Sequence, residues 1–108
     1  MSQAESNFKL AASAKAAFED KKYSEAARIF HQILSSLDPK RTPLEVAEVR
    51  NNLSVVYLKD GQAQAAYDQA LGTDRVFADH NETEKQAMSL GNIAAALVEL
   101  GRLDEALD

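Results

Sequence analysis

Apolar side chains recur along this chain at spacings of three and four, the period of a helix with one face turned inward. Val46, Val49, Leu53 and Val56 form one such stripe, and Ala87, Leu90, Ala94, Leu97 and Gly101 form another. Beyond Gly61 the same spacing returns in Ala63, Ala66, Tyr67, Ala70 and Leu71. A glycine between two such stripes marks a tight turn joining two antiparallel helices. The pattern predicts helices over residues 3–19, 24–37, 43–59, 63–79, 82–100 and from 103 onward. Thr42, Pro43 and Glu45 supply an N-cap, a first-turn proline and a capping-box carboxylate for the third helix, and Asn81 with Glu84 does likewise for the fifth. Gly72 falls inside the fourth. Because Val76, Phe77 and Ala78 resume the stripe beyond it, that helix is expected to run through, at a cost of roughly 1 kcal/mol relative to alanine.

The stripes belong to a repeat. Residues 51–66, NNLSVVYLKDGQAQAA, align without a gap to residues 91–106, GNIAAALVELGRLDEA, at an offset of forty. Asn52 matches Asn92, Leu53 matches Ile93, Ser54 matches Ala94, Tyr57 matches Leu97, Gly61 matches Gly101 and Ala66 matches Ala106. Forty residues earlier lies an eroded copy with Ala14, Ala17, Phe18, Lys21 and Ala26. It keeps the small and apolar positions and loses the asparagine and the glycine. Repeats of this length, each unable to bury its apolar face alone, stack to form a shared core. The chain therefore reads as one domain, residues 1–108, with repeats over about 3–40, 43–80 and 82–108, the last incomplete.

The recurring leucine, small residue, tyrosine, turn glycine and alanine, here Leu53, Ser54, Tyr57, Gly61 and Ala66, resemble the tetratricopeptide repeat. The third copy offers Ile93, Ala94, Leu97, Gly101 and Ala106, and the first offers Tyr23, Glu25, Ala26 and Phe30 before Asp38 and Pro39. The usual unit has about 34 residues. The longer period found here is similar to the subtype of kinesin light chains and related adaptors. The resemblance implies an all-α fold, a right-handed superhelical array of antiparallel helix hairpins (an α-α solenoid) with about 2.5 to 3 repeats.

It also implies a use. In such arrays the first helix of each hairpin lines a concave groove that receives a peptide or a partner helix. By that register the groove positions are Phe8, Ala11, Ala12, Lys15 and Phe18 in the first copy. The second copy gives Glu48, Asn51, Asn52, Val55, Leu58 and Lys59, and the third gives Met88, Gly91, Asn92, Ala95, Val98 and Glu99. Asn51, Asn52 and Asn92 are the leading candidates, because a side-chain amide both donates and accepts and can grip a peptide backbone. Phe8, Phe18, Val55, Leu58, Met88 and Val98 would form the apolar pockets around them. Asparagine here has a second use, bridging neighbouring helices. Of the positions with which some family members clamp a terminal carboxylate, only Asn52 is matched, and the others hold Ala11, Lys15, Met88 and Asn92, so that ligand is not expected.

Composition narrows the chemistry. Four glycines and two prolines are too few for a chain of tight β turns. With no cysteine, disulfides and thiolate chemistry are excluded, which suits a reducing compartment; cytoplasm is the expectation. No stretch is apolar for the ~18 residues of a membrane span. The net charge of −5 argues against a nucleic-acid partner. Residues 1–59 carry nine basic and seven acidic side chains and residues 60–108 carry three and ten, so the C-terminal half is the acidic one. His31 and His80 lack the spacing or carboxylate company of a metal site, and no nucleophile motif or phosphate loop occurs. No enzyme activity, cofactor or metal is expected; a protein or peptide partner is. The sequence stops a few residues into the sixth helix, leaving Leu103, Ala106 and Leu107 at an uncapped edge. A continuing array is the first expectation there, and self-association into a homo-oligomer through that edge is the alternative.

Overall fold

Four of the helices end on a residue in the left-handed conformation, and three of these ends are described through the following turn. In a computed structural model that describes residues 2–101, Lys21, Gly61, Asn81 and Gly101 all take positive φ, at 61°, 74°, 58° and 73°. Each follows a helix: α1 (Gln3–Glu19), α3 (Pro43–Lys59), α5 (Thr73–Asp79) and α6 (Thr83–Glu99). The remaining helices are α2 (Tyr23–Ser35) and α4 (Ala63–Ala70). At the first three turns the amide after the left-handed residue reaches back five residues. Lys22 donates to Ala17, Gln62 to Tyr57 and Glu82 to Phe77, each at 2.8 Å. The left-handed residue itself donates to the carbonyl three back, as in Lys21 to Phe18 at 3.0 Å. This is the Schellman closure, which satisfies carbonyls that a helix end would leave unpaired.

Asn81 is therefore not the N-cap expected from the sequence. It ends the preceding helix in the left-handed conformation that asparagine tolerates, and Glu82 stands at the cap. Thr42 does occupy the N-cap position of α3, with Pro43 in the first turn, but its hydroxyl makes no bond to the amide of Glu45. Thr42 Oγ1 instead donates to the Asp38 carbonyl at 3.1 Å, closing the longer connection between α2 and α3.

Small residues let the paired helices approach. Ala14 on α1 and Ala26 on α2 are fully buried, as are their counterparts Ser54 on α3 and Ala66 on α4. Ser54 Oγ donates to the Ala66 carbonyl at 2.8 Å, a bond that requires side chain and facing backbone to meet directly. Around these crossings Ile29, Phe30, Ile33, Leu53 and Val56 form the apolar core, with Leu10, Phe18, Tyr23, Val49 and Tyr57 packed against it. Packing proceeds in chain order. α1 lies on α2, α2 on α3, and α3 on α4 and α5, while α6 closes on α3, α4 and α5. The shortest dimension, 20 Å, is that of two helices laid side by side. The described residues are all-helical with no strand, and no helix among them is long and apolar enough to cross a membrane. The helix expected from 103 onward, with Leu103, Ala106 and Leu107, lies outside the described residues.

The expected continuous helix over 63–79 is broken. Leu71 (φ −57°, ψ 123°) and Gly72 (φ 87°, ψ −12°) form the two central positions of a type II turn between α4 and α5. Only glycine takes the second position without strain. The freed carbonyls are met from α3, where Arg50 Nη2 donates to Asp68 at 2.9 Å and to Leu71 at 3.2 Å. Burial pushes the Arg50 guanidinium down from its ordinary value, and it remains a cation. Thr73 Oγ1 donates to the Ala70 carbonyl at 2.7 Å, which leaves the buried Ser89 hydroxyl as donor to Thr73 at 2.5 Å. α5 then buries Phe77 completely.

Two substitutions test these backbone assignments. Gly72→Ala should destabilise the chain by about 1–2 kcal/mol, since nothing crowds the added methyl and the cost is the left-handed backbone alone. Lys21→Gly should raise stability by up to about 1 kcal/mol through relief of the same strain. Urea denaturation of the purified variants measures both, and a neutral Gly72→Ala would mean that the turn is not formed.

Candidate functional site

Residues forty apart occupy matching places in α1, α3 and α6, so the two seams between these helices can be compared pair by pair. At the seam of α3 and α6, Lys85 Nζ donates to Glu48 Oε1 at 2.7 Å and Asn92 Nδ2 donates to Asn51 Oδ1 at 2.6 Å. The matching pairs at the seam of α1 and α3 are Glu45 with Phe8 and Asn52 with Ala11. Neither can form the bond. One ion pair and one amide bond thus close the second seam, while the first has a carboxylate facing an aromatic ring's position and an amide facing a methyl's.

The open seam holds a cavity of about 570 Å³, lined by Phe8, Ala11, Ala12, Lys15 and Phe18 of α1, Phe30 of α2, and Asn52, Val55 and Val56 of α3. A second recess of about 340 Å³ shares Phe8, Ala11, Phe30 and Asn52 with it and continues to Glu45, Glu48 and Val49. Together they make one trough with Asn52 in its middle. Most of its lining is apolar, and Phe30 lines both parts. Lys15, Glu45 and Asn52 make no hydrogen bond or ion pair among the described residues. Phe8 is 79% exposed, far more than an aromatic ring at a closed helix contact.

Seven of the sequence candidates, Phe8, Ala11, Ala12, Lys15, Phe18, Asn52 and Val55, therefore come together in one cavity, and Glu48 lines the recess that continues it. Phe18 is held there edge-to-face against Tyr23, with ring centroids 5.6 Å apart. The other candidates lie elsewhere. Asn51 is only 6% exposed and its oxygen is taken by Asn92, so these two amides bridge helices. Leu58 is half-buried and Lys59 exposed near the end of α3, outside the cavity lining. Met88 and Val98, 60% and 53% exposed on α6, also lie outside it. Phe30, Val56 and Glu45 were missed as lining residues. Phe30 sits on a second helix, where the register rule does not look, and Glu45 carries a capping signature that hides its place on the trough.

No family model matches this chain, and no curated protein or solved structure matches it. The functional reading thus rests on the geometry and on the repeat.

The two kinds of asparagine should separate by stability. Asn92→Ala strands the buried Asn51 amide and should cost about 1–2 kcal/mol, whereas Asn52→Ala should stay within about 0.5 kcal/mol of the parent. Thermal denaturation followed by circular dichroism distinguishes them. The hydrogen bond to Glu48 holds Lys85 above the ordinary lysine value. That contribution is present through neutral pH and should be lost as pH rises through the lysine range, so Lys85→Gln should flatten the alkaline limb of the stability profile.

Proposed function

We propose that this chain is a tetratricopeptide-like array of stacked helical hairpins, a right-handed α-solenoid, that binds a protein or peptide in the trough between α1 and α3. The observation that carries the reading is the cavity of about 570 Å³ whose apolar wall surrounds an unpartnered amide and an unpartnered ammonium. Apolar walls with a few convergent polar groups are what a binding site needs for affinity and orientation. Support for the array comes from the forty-residue period in sequence and from left-handed residues that recur forty apart, at Lys21, Gly61 and Gly101.

A binding role fits the trough better than catalysis. Its polar groups include the Asn52 amide, the Lys15 ammonium and the Glu45 and Glu48 carboxylates, and no serine, threonine or cysteine nucleophile lines it. Asn52 can donate to and accept from a peptide backbone. Phe8, Phe18 and Val55 supply apolar contact, and Lys15 supplies charge.

Ala12→Trp provides the test, because Ala12 is exposed on the cavity lining and an indole there fills the cavity without replacing a core residue. Peptides selected from a random display library on the parent chain should lose at least about tenfold in affinity for Ala12→Trp, the scale of a filled central pocket. Helix content and melting temperature should match the parent. Equal affinity for the two proteins would place binding elsewhere and overturn the trough as the site.

A further inference from the structure

The seam of α3 and α6 shows what the seam of α1 and α3 lacks. In the closed seam a cation from the neighbouring helix meets Glu48, and an amide meets Asn51. In the open seam the matching residue to Glu48 is Phe8, Glu45 stands where α6 has Lys85, and Asn52 finds Ala11. The trough is thus left with three unmet groups in a fixed order: the Glu45 carboxylate at one end, the Asn52 amide in the middle, and the Lys15 ammonium at the other. Glu48 adds a second carboxylate to the first end, partly offset by Lys85. By register Lys15 lies level with Val55, ten residues beyond Glu45 along α3. Ten helical steps span roughly 15 Å, the length of about five residues of extended chain.

We infer that the trough's ligand is an extended peptide segment of about five residues with a basic side chain at the Glu45 end, an acidic side chain at the Lys15 end, and apolar side chains between them. The inference rests on the trough being a peptide site and adds the chemistry of its occupant. Charge complementarity sets the two ends. The apolar stretch between Phe8, Phe30 and Val55 sets the middle, and Asn52 takes the backbone there. Opposite charges at the two ends also fix which way round the segment lies, because a reversed ligand would set like charges together.

The test titrates four acetylated and amidated pentapeptides into the isotope-labelled chain at low salt, following backbone amide shifts. The probes are Lys-Leu-Ala-Phe-Glu, its reversed order Glu-Phe-Ala-Leu-Lys, and the same two with glutamine replacing both charged residues. One of the charged probes should bind about three- to tenfold tighter than its glutamine counterpart, with shifts at Asn52 and Val55, and the excess should vanish as added salt screens it. Lys15→Glu and Glu45→Lys, both at exposed positions, should each remove the advantage. The double variant Lys15→Glu/Glu45→Lys should move the preference to the opposite chain order. Equal binding of charged and glutamine probes, with shifts still centred on Asn52, would overturn the charge pattern and leave the peptide site standing. Shifts from every probe that avoid the trough would overturn both.

Discussion

A helix end leaves carbonyls unpaired, and the way this chain pairs them determines the rest of its architecture. The left-handed residues at 21, 61 and 81 let the next amide reach the carbonyl five residues earlier, at the same 2.8 Å each time. Each following helix therefore starts at the same phase relative to the one it leaves. With the phase set alike at the turns after α1 and α3, which lie forty residues apart, the small residues at 14 and 54 meet the small residues at 26 and 66 in the same way. A shift of one residue at a turn would rotate the next helix by about a quarter turn. Alanines would then leave the crossings and larger side chains would enter them.

Equal placement makes chemical differences between the seams interpretable. Ile33 and Val49 in the first half correspond to Thr73 and Ser89 in the second. The first pair is apolar, and the second is a buried hydroxyl pair whose bonds reach the Ala70 carbonyl. Phe30 corresponds to Ala70. The N-terminal half thus has the bulkier apolar core and an open trough, while the C-terminal half replaces bulk with directed polar contacts. The break at Gly72 belongs to the same exchange, since Arg50 and Thr73 serve the carbonyls it frees.

Much of this was legible from spacing. The bounds of α1 and α3 follow from the apolar stripe to the residue, because alanine and leucine stripes of that length have no competing period. Gly72 was not legible. A type II turn costs two residues of the ladder, yet Val76 and Phe77 return at spacings that still fit a helix, so periodicity cannot see the break. Thr42 and Asn81 failed for a related reason. Each residue type serves both a cap and a turn, and the choice depends on a partner, the carbonyl of Asp38 for Thr42 or of Ala78 for Asn81, that only the folded chain positions. For the asparagines the type was legible and the role was not. Asn51 and Asn52 are neighbours in sequence and about 100° apart around α3, so one turns into the seam and the other into the trough.

That division separates stability from recognition at the level of single side chains. Groups that hold the helices together have spent their hydrogen-bonding capacity on each other: Lys85 on Glu48, Asn92 on Asn51, Ser54 on the Ala66 carbonyl. Groups left unspent line the trough, and two of them, Glu45 and Asn52, remain so because their register partners are Phe8 and Ala11, which have nothing to offer. An exposed aromatic ring and an unpartnered amide contribute little to folding. A partner that covers the ring removes apolar surface from water, and the amide then exchanges its water for the partner's backbone. The same register that zips α6 onto α3 thus leaves α1 and α3 with the outline of a missing strip, acidic at one end and basic at the other.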